Sequence, residues 1–235
     1  MKNLEEFYIL GLPIETDIGE CRFVKVKEYP NLAQDLQIMS LSKDHIVNLI
    51  CSQSKDSNEQ IIEAMKDATL FETVFSISDL RDSYLNVLSN VFDEDSLSNI
   101  NQDNFDKYRN LILKMNCQKE EKINPNPEIQ RAIERSRRVK ASEGETLHFS
   151  DIVTSIVGYN GLTYEDINEF TVYQLYMTYY RIAQIKNYNT STLFATVSPQ
   201  SKIESWSKHI DMFAEEKHFV SQEEFNKNTG STFKD

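Results

Sequence analysis

Hydrophobic positions in this chain change period several times, and each change marks an element. Phe7 to Leu12 is a short apolar run, and from Glu20 to Lys27 the residues Cys21, Phe23, Val24 and Val26 alternate with Arg22, Lys25 and Lys27. Near-period-two alternation is the pattern of a half-buried strand. Both segments are expected as strands, joined through Pro13 and Gly19 as a β-hairpin or a pair of edge strands. Tyr29-Pro30 closes that unit, because proline has no ladder donor. From Asn31 to Asp93 the period becomes helical. One helix is expected over Asp44 to Cys51. A second starts at the capping box Ser57-Asn-Glu-Gln60 and runs through Ile61, Ile62, Met65, Ala68 and Leu70. A third follows an N-cap at Ser78 and carries Leu80, Tyr84, Leu85, Leu88 and Val91. The acidic connection DEDSLSNINQDN then leads to a helix over Phe105, Tyr108, Leu111, Ile112 and Met115.

Between 118 and 144 the chain changes character. NPNP at 124–127 is a loop signal, and EIQRAIERSRRVKASEGE after it reads as a polar helix with Arg131, Arg135, Arg137, Arg138 and Lys140. A soft domain boundary belongs here. It divides the chain into a hairpin plus helical region (1–117), a linker and basic helix (118–144), a C-terminal helical region (145–217) and a polar tail (218–235). In the C-terminal region the pattern predicts a helix from Ser150, a short turn of helix after Thr163 and a long helix after Thr171. TSTLFATV then reads as β-rich, and Ser198-Pro199 opens a last helix with the stripe Ile203, Trp206, Ile210 and Phe213. Trp206, the sole tryptophan, is expected to anchor that helix in the core. The fold class is therefore α+β and helix-dominated, a small N-terminal β-hairpin unit followed by a mostly helical body. Six glycines and five prolines in 235 residues agree with few tight turns.

The stretch from Ser150 to Ile185 is the most informative. Thr171-Val-Tyr-Gln174 is a capping box, and Phe170 and Leu175 stand where a hydrophobic staple would fix the chain's entry. Val172, Leu175, Tyr176, Tyr179, Ile182 and Ala183 follow at core spacing. The other side of the same helix carries Tyr173, Met177 and Tyr180, which a solvated face does not need. Two uses fit: packing against the N-terminal unit, or a protein-binding surface of the adaptable kind that Tyr and Met favour.

Composition narrows the function classes. A 40% hydrophobic, 11% aromatic chain can bury a core. With 37 acidic against 25 basic residues and a net charge of −12, general nucleic-acid binding is not expected. The N-terminal apolar run is short and follows acidic residues, unlike a signal peptide. No window reaches the roughly 20 apolar residues of a membrane helix. Cys21, Cys51 and Cys117 are odd in number and far apart, the usage of reduced thiols in a cytosol.

Catalytic chemistry has no foothold in these patterns. There is no glycine-rich phosphate loop and no nucleophile elbow. The 93–104 segment lacks the glycine and closing glutamate of a calcium loop. His45, His148, His209 and His218 are scattered, and His209-Ile-Asp211 reads as a surface pair rather than metal ligands. No enzyme activity, cofactor or metal is expected. The basic helix is read first as a solvated helix with internal pairs among Glu128, Arg131, Glu134 and Arg138. Its second reading is electrostatic contact with an acidic partner or another copy of the chain.

FYILGLPIETDIGECRFVKVKEYP at the N-terminus, and GLTYEDINEFTVYQLYMTYYRI with WSKHI downstream, resemble the tail assembly chaperones of phages and prophages of Gram-positive hosts. The chain is longer than many members of that family, and its 118–144 segment has no obvious counterpart there. The resemblance implies a helper in the host cytoplasm that binds the hydrophobic tape measure protein, keeps it soluble and helps recruit tail tube protein. A tape measure helix would dock in a groove to which Tyr173, Met177 and Tyr180 contribute. The alternatives are a neck or tail adaptor that stays in the particle and an acidic inhibitor of a host protein.

Overall fold

The computed structural model describes residues 4–53, 65, 67–121, 123–124, 126–142, 147–198 and 203–213. Among these residues it is a helical protein with one two-stranded antiparallel hairpin near the N-terminus, so the helix-dominated α+β expectation holds. The hairpin's arms, however, are not those the apolar pattern indicated. Residues Leu4–Leu10 form helix α1. Leu4, Phe7 and Tyr8 lie at helical spacing, Glu5 and Glu6 occupy the first turn where the dipole favours acids, and Tyr8 is buried. Gly11 ends the helix at φ 65°, and the Leu12 N–H donates back to Phe7 O at 3.0 Å, the left-handed glycine stop common to helix ends.

The hairpin pairs β1 (Ile14–Thr16) with β2 (Gly19–Cys21) across Asp17-Ile18. Gly19 adopts φ 145°, and a Cβ there would lie 1.9 Å from Ser96 Oγ, so the close approach requires glycine. Residues 22–27 keep their alternating burial but pair elsewhere. Val26 N–H donates to Phe170 O (2.8 Å), Val172 N–H to Val24 O (3.0 Å), and Lys25 bridges Thr171 antiparallel. The alternation marks a strip laid against the start of the C-terminal helix. Tyr29-Pro30, expected to close the β unit, instead opens helix α2 (Tyr29–Ser40), with proline in the first turn where no N–H is needed.

The other helices whose bounds fall among the described residues are α3 (Lys43–Gln53), α4 (Leu70–Ser76), α5 (Ser78–Val91), α6 (Glu94–Leu97), α7 (Phe105–Met115), α8 (Pro127–Ser142), α9 (Phe149–Asn160), α10 (Tyr164–Asn168) and α11 (Val172–Ala195). Leu70 does not continue an earlier helix: Thr69 caps α4 through a box with Glu72. Ile77 stands at the cap of α5, so Ser78 is its first residue and not its cap. The acidic 93–104 connection contains α6, capped by Asp93, which accepts from Ser96 N–H at 2.8 Å. The expected capping box at Ser57 with Ile61 and Ile62, and the tail after Lys217, lie outside the described residues.

Two cores result. The first gathers Leu36, Met39, Val74, Tyr84, Val87, Phe105, Tyr108 and Ile112 from α2, α4, α5 and α7. Arg109 crosses it with 3% exposure: its guanidinium donates to Met39 O, Leu41 O and Glu120 Oε1, each at 2.9 Å. The second core is smaller, with Val26, Ile152, Ile156, Ile167 and Leu175.

Two C-terminal expectations fail. TSTLFATV is not β-rich, because α11 runs through Ala195. Its threonine hydroxyls bond back to the preceding turn, Thr192 to Tyr188 O and Thr196 to Leu193 O, which lets β-branched residues stay helical. No helix forms among the described residues 203–213, which run as turns. The carbonyls of Trp206 and Lys208 accept from Arg181 (2.6 and 3.1 Å), and Gln184 also donates to Lys208 O. Backbone acceptors engaged with α11 do not serve a helix of their own. Trp206, expected in the core, is 51% exposed.

Candidate partner-binding groove

Helix α11 begins where the sequence places it. Thr171 Oγ1 accepts from Gln174 N–H (3.1 Å), and Gln174 Oε1 accepts from Thr171 N–H (2.8 Å). The same Gln174 donates through Nε2 to Ile9 O at 2.9 Å, so one residue closes the cap and holds the end of α1. Gly11 sits over this cap, its missing Cβ only 2.9 Å from Thr171 Cγ2. Just before it, the Glu169 carboxylate bridges Lys25 and Lys27, each at 2.5 Å. These hydrogen bonds hold its carboxyl down at about 2.

The all-round apolar character of α11 has a structural cause. Val172 and Tyr173 belong to the first core, Leu175 to the second, and Tyr176 packs against both. The first turns are a wedge between two cores, and a wedge needs apolar side chains on both faces. Tyr173 meets Tyr8 edge-on at 5.2 Å and Phe23 at 6.5 Å, while Tyr8 and Phe23 meet at 5.5 Å. Such edge contacts add to the burial of each ring. Burial, with Cys117 and the Glu5 carboxylate nearby, pushes the Tyr173 phenol up to about 12.

Beside that cluster lies an apolar groove of about 520 Å³ between α1, α11 and residues 209–213. Leu4, Ile9, Tyr173, Met177, Ile210 and Phe213 form its apolar walls, and Glu5, Glu6, Lys114, His209 and Asp211 also line it. Tyr173 contributes from a buried position, and Met177 is half-buried against the first core. Tyr180 is not among the groove residues. It is 39% exposed, with its ring 5.7 Å from Tyr179 and Cys117 nearby. Two of the three expected contact residues therefore come together, and the third does not join them. Leu4 precedes the strand expected over 7–12 and Ile9 falls within it; helix α1 brings both to the groove. The helical spacing of Leu4, Phe7 and Tyr8 and the stop at Gly11 were the signals for α1. Across the groove mouth the His209 ring stands 3.7 Å from the Glu5 carboxylate.

No grouping of His, Cys, Asp and Glu among the described residues could hold a metal ion. The Cys21 thiol is buried, donates to Met115 Sδ at 3.6 Å and is pushed up to about 12 by burial, as in an inert core thiol. No helix among the described residues is long and apolar enough to cross a membrane.

Residues 2–125 match the family model described as the YomV N-terminal domain, and residues 139–211 the one described as the YomV second domain. The SPbeta prophage-derived uncharacterized protein YomV of Bacillus subtilis (strain 168) is 39% identical over 224 residues, covering 94% of each chain. No solved structure matches significantly.

Proposed function

The chain belongs to the YomV family of prophage proteins, and we propose from that premise that it is a non-enzymatic, protein-binding helper of phage tail assembly. In this reading it works in the host cytoplasm, binds an apolar helix of the tape measure protein and keeps it soluble while tail tube protein is recruited. The observation that carries the reading is the groove between α1 and α11. It is open and mostly apolar, and it is flanked by segment 203–213, most of which is exposed. An amphipathic helix docks in a groove of this kind through residues spaced three and four apart. A net charge of −12 supports the solubility of such a complex. The prophage origin of the relative and the likeness to tail assembly chaperones supply the candidate partner.

Co-expression with the tape measure protein of the same prophage tests this. The expected result is rescue of tape measure solubility by the native chain and its loss in Met177→Glu, a half-buried groove position, with the circular dichroism unchanged. Unaltered tape measure solubility in the presence of the native chain overturns the reading. So does a stoichiometric amount of this chain in purified virions, which would favour a neck or tail adaptor.

A further inference from the structure

Helix α8 is built unlike the others. Apart from Gln130, every side chain described from Glu128 to Val139 is exposed. The helix is nevertheless amphipathic: Ile129, Ala132, Ile133 and Val139 fall within about 120° of the helical wheel. Arg135 and Arg137 flank that stripe, and Arg131 and Arg138 lie behind it. Five basic and two acidic residues make it a basic element in a chain of net charge −12. Among the described residues it is tethered by the Asn124 N–H donating to Gln130 Oε1 at 3.0 Å and by Arg137 3.7 Å from Glu121.

A complementary surface exists on the same chain. A shallow groove of about 760 Å³ runs between α1, α10 and α11. Its floor is Ile9, Leu162 and Phe170, and its rim is Glu165, Asp166 and Glu169. Asp166 is engaged by the Thr163 cap and Glu169 by Lys25 and Lys27. Glu165 is an exposed rim carboxylate. With Glu169 offset by Lys25 and Lys27, Glu165 and Asp166 leave the rim acidic, and an apolar floor beside them matches an apolar stripe flanked by arginines.

We propose that α8 of one copy docks into the α1/α10/α11 groove of a second copy. The occupant is chosen by charge: the stripe's flanking guanidiniums meet a like-charged partner on a basic protein but an opposite rim on this one. The helix is about 24 Å long, so one docking buries on the order of 1,000 Å² in total, the low end of specific interfaces. An interface of that size is expected to be weak and reversible. Reciprocal exchange closes a dimer with twice that area, whereas one-way docking extends a ring or filament.

Sedimentation velocity of the full chain over a concentration series tests this. Self-association is expected, weakening as salt rises from roughly 50 to 500 mM. Ile133→Glu and Arg135→Glu should each weaken it by about tenfold, and adding Glu165→Arg to Arg135→Glu should restore it. Both sites are exposed, so the circular dichroism should not change. A monomer at all concentrations overturns the proposal. Association in the double variant no stronger than in Arg135→Glu also overturns it, as does flotation of a monomer with phosphatidylglycerol vesicles.

Discussion

Replacing Arg109 by methionine tests how the first core tolerates a buried guanidinium. Arg109 donates to Met39 O in the last turn of α2, to Leu41 O at its C-cap, to the Tyr84 hydroxyl at 3.3 Å and to the Glu120 carboxylate. Loss of the side chain strips the part-buried Leu41 O of this donor, at about 1–2 kcal/mol. Met39 O keeps the Tyr84 hydroxyl as a donor at 3.3 Å, so its loss is nearer about 1 kcal/mol. Removing a cation from a helix C-terminus adds about 0.3–1 kcal/mol. Methionine recovers part of the packing, which leaves a net loss of about 2–4 kcal/mol. Glu120 is a different matter: its side chain is 29% exposed, and Glu120→Gln should cost under about 1 kcal/mol. Urea unfolding followed by helical circular dichroism reads both, with the midpoint shifting and the slope unchanged. If Glu120→Gln destabilises as much as Arg109→Met, the ion pair rather than carbonyl satisfaction holds this region, and the reasoning is wrong.

Three further outcomes follow from the geometry around α11. Thr171→Ala removes the cap and should cost about 0.5–2 kcal/mol, read as a lower thermal midpoint. Gly11→Ala forces a Cβ into a left-handed position 2.9 Å from Thr171 Cγ2 and should destabilise by about 1–3 kcal/mol; an unchanged urea midpoint would show that α1 does not rest on the cap. Glu169, held down at about 2 by Lys25 and Lys27, contributes stability that is full above the ordinary carboxylate value of 4.5 and is lost as pH falls from there toward 2. Glu169→Gln should flatten the acid side of the stability profile over that window and leave the neutral side's slope unchanged.

What could be read along the chain was local chemistry. The Thr171–Gln174 box, the turn after Thr163, the helix over Phe105 to Met115 and the basic helix after NPNP all form where their signals stand. Each depends on contacts within a few residues, such as a hydroxyl reaching the third N–H along. The failures share the opposite property. Phe7 to Leu12 was an apolar run too short for its period to discriminate helix from strand, and packing of Tyr8 between Phe23 and Tyr173 decided for helix. TSTLFATV carried β-branched residues, but propensity is a weak prior once a long helix is already nucleated.

The candidate site divides along the same line. Sequence alone determined that α11 starts at Thr171, that its early turns are apolar on both sides, and that one helix of an acidic protein is basic. Only the tertiary structure decided that both faces of α11 are needed because two cores meet on it. It also decided that Met177 joins Tyr173 in a groove that Tyr180 does not line, and that Leu4 and Ile9 supply the opposite wall. The physical reason is range. A cap is settled by bonds a few residues long, whereas a groove exists only when residues 4–9, 173–177 and 209–213 are brought together.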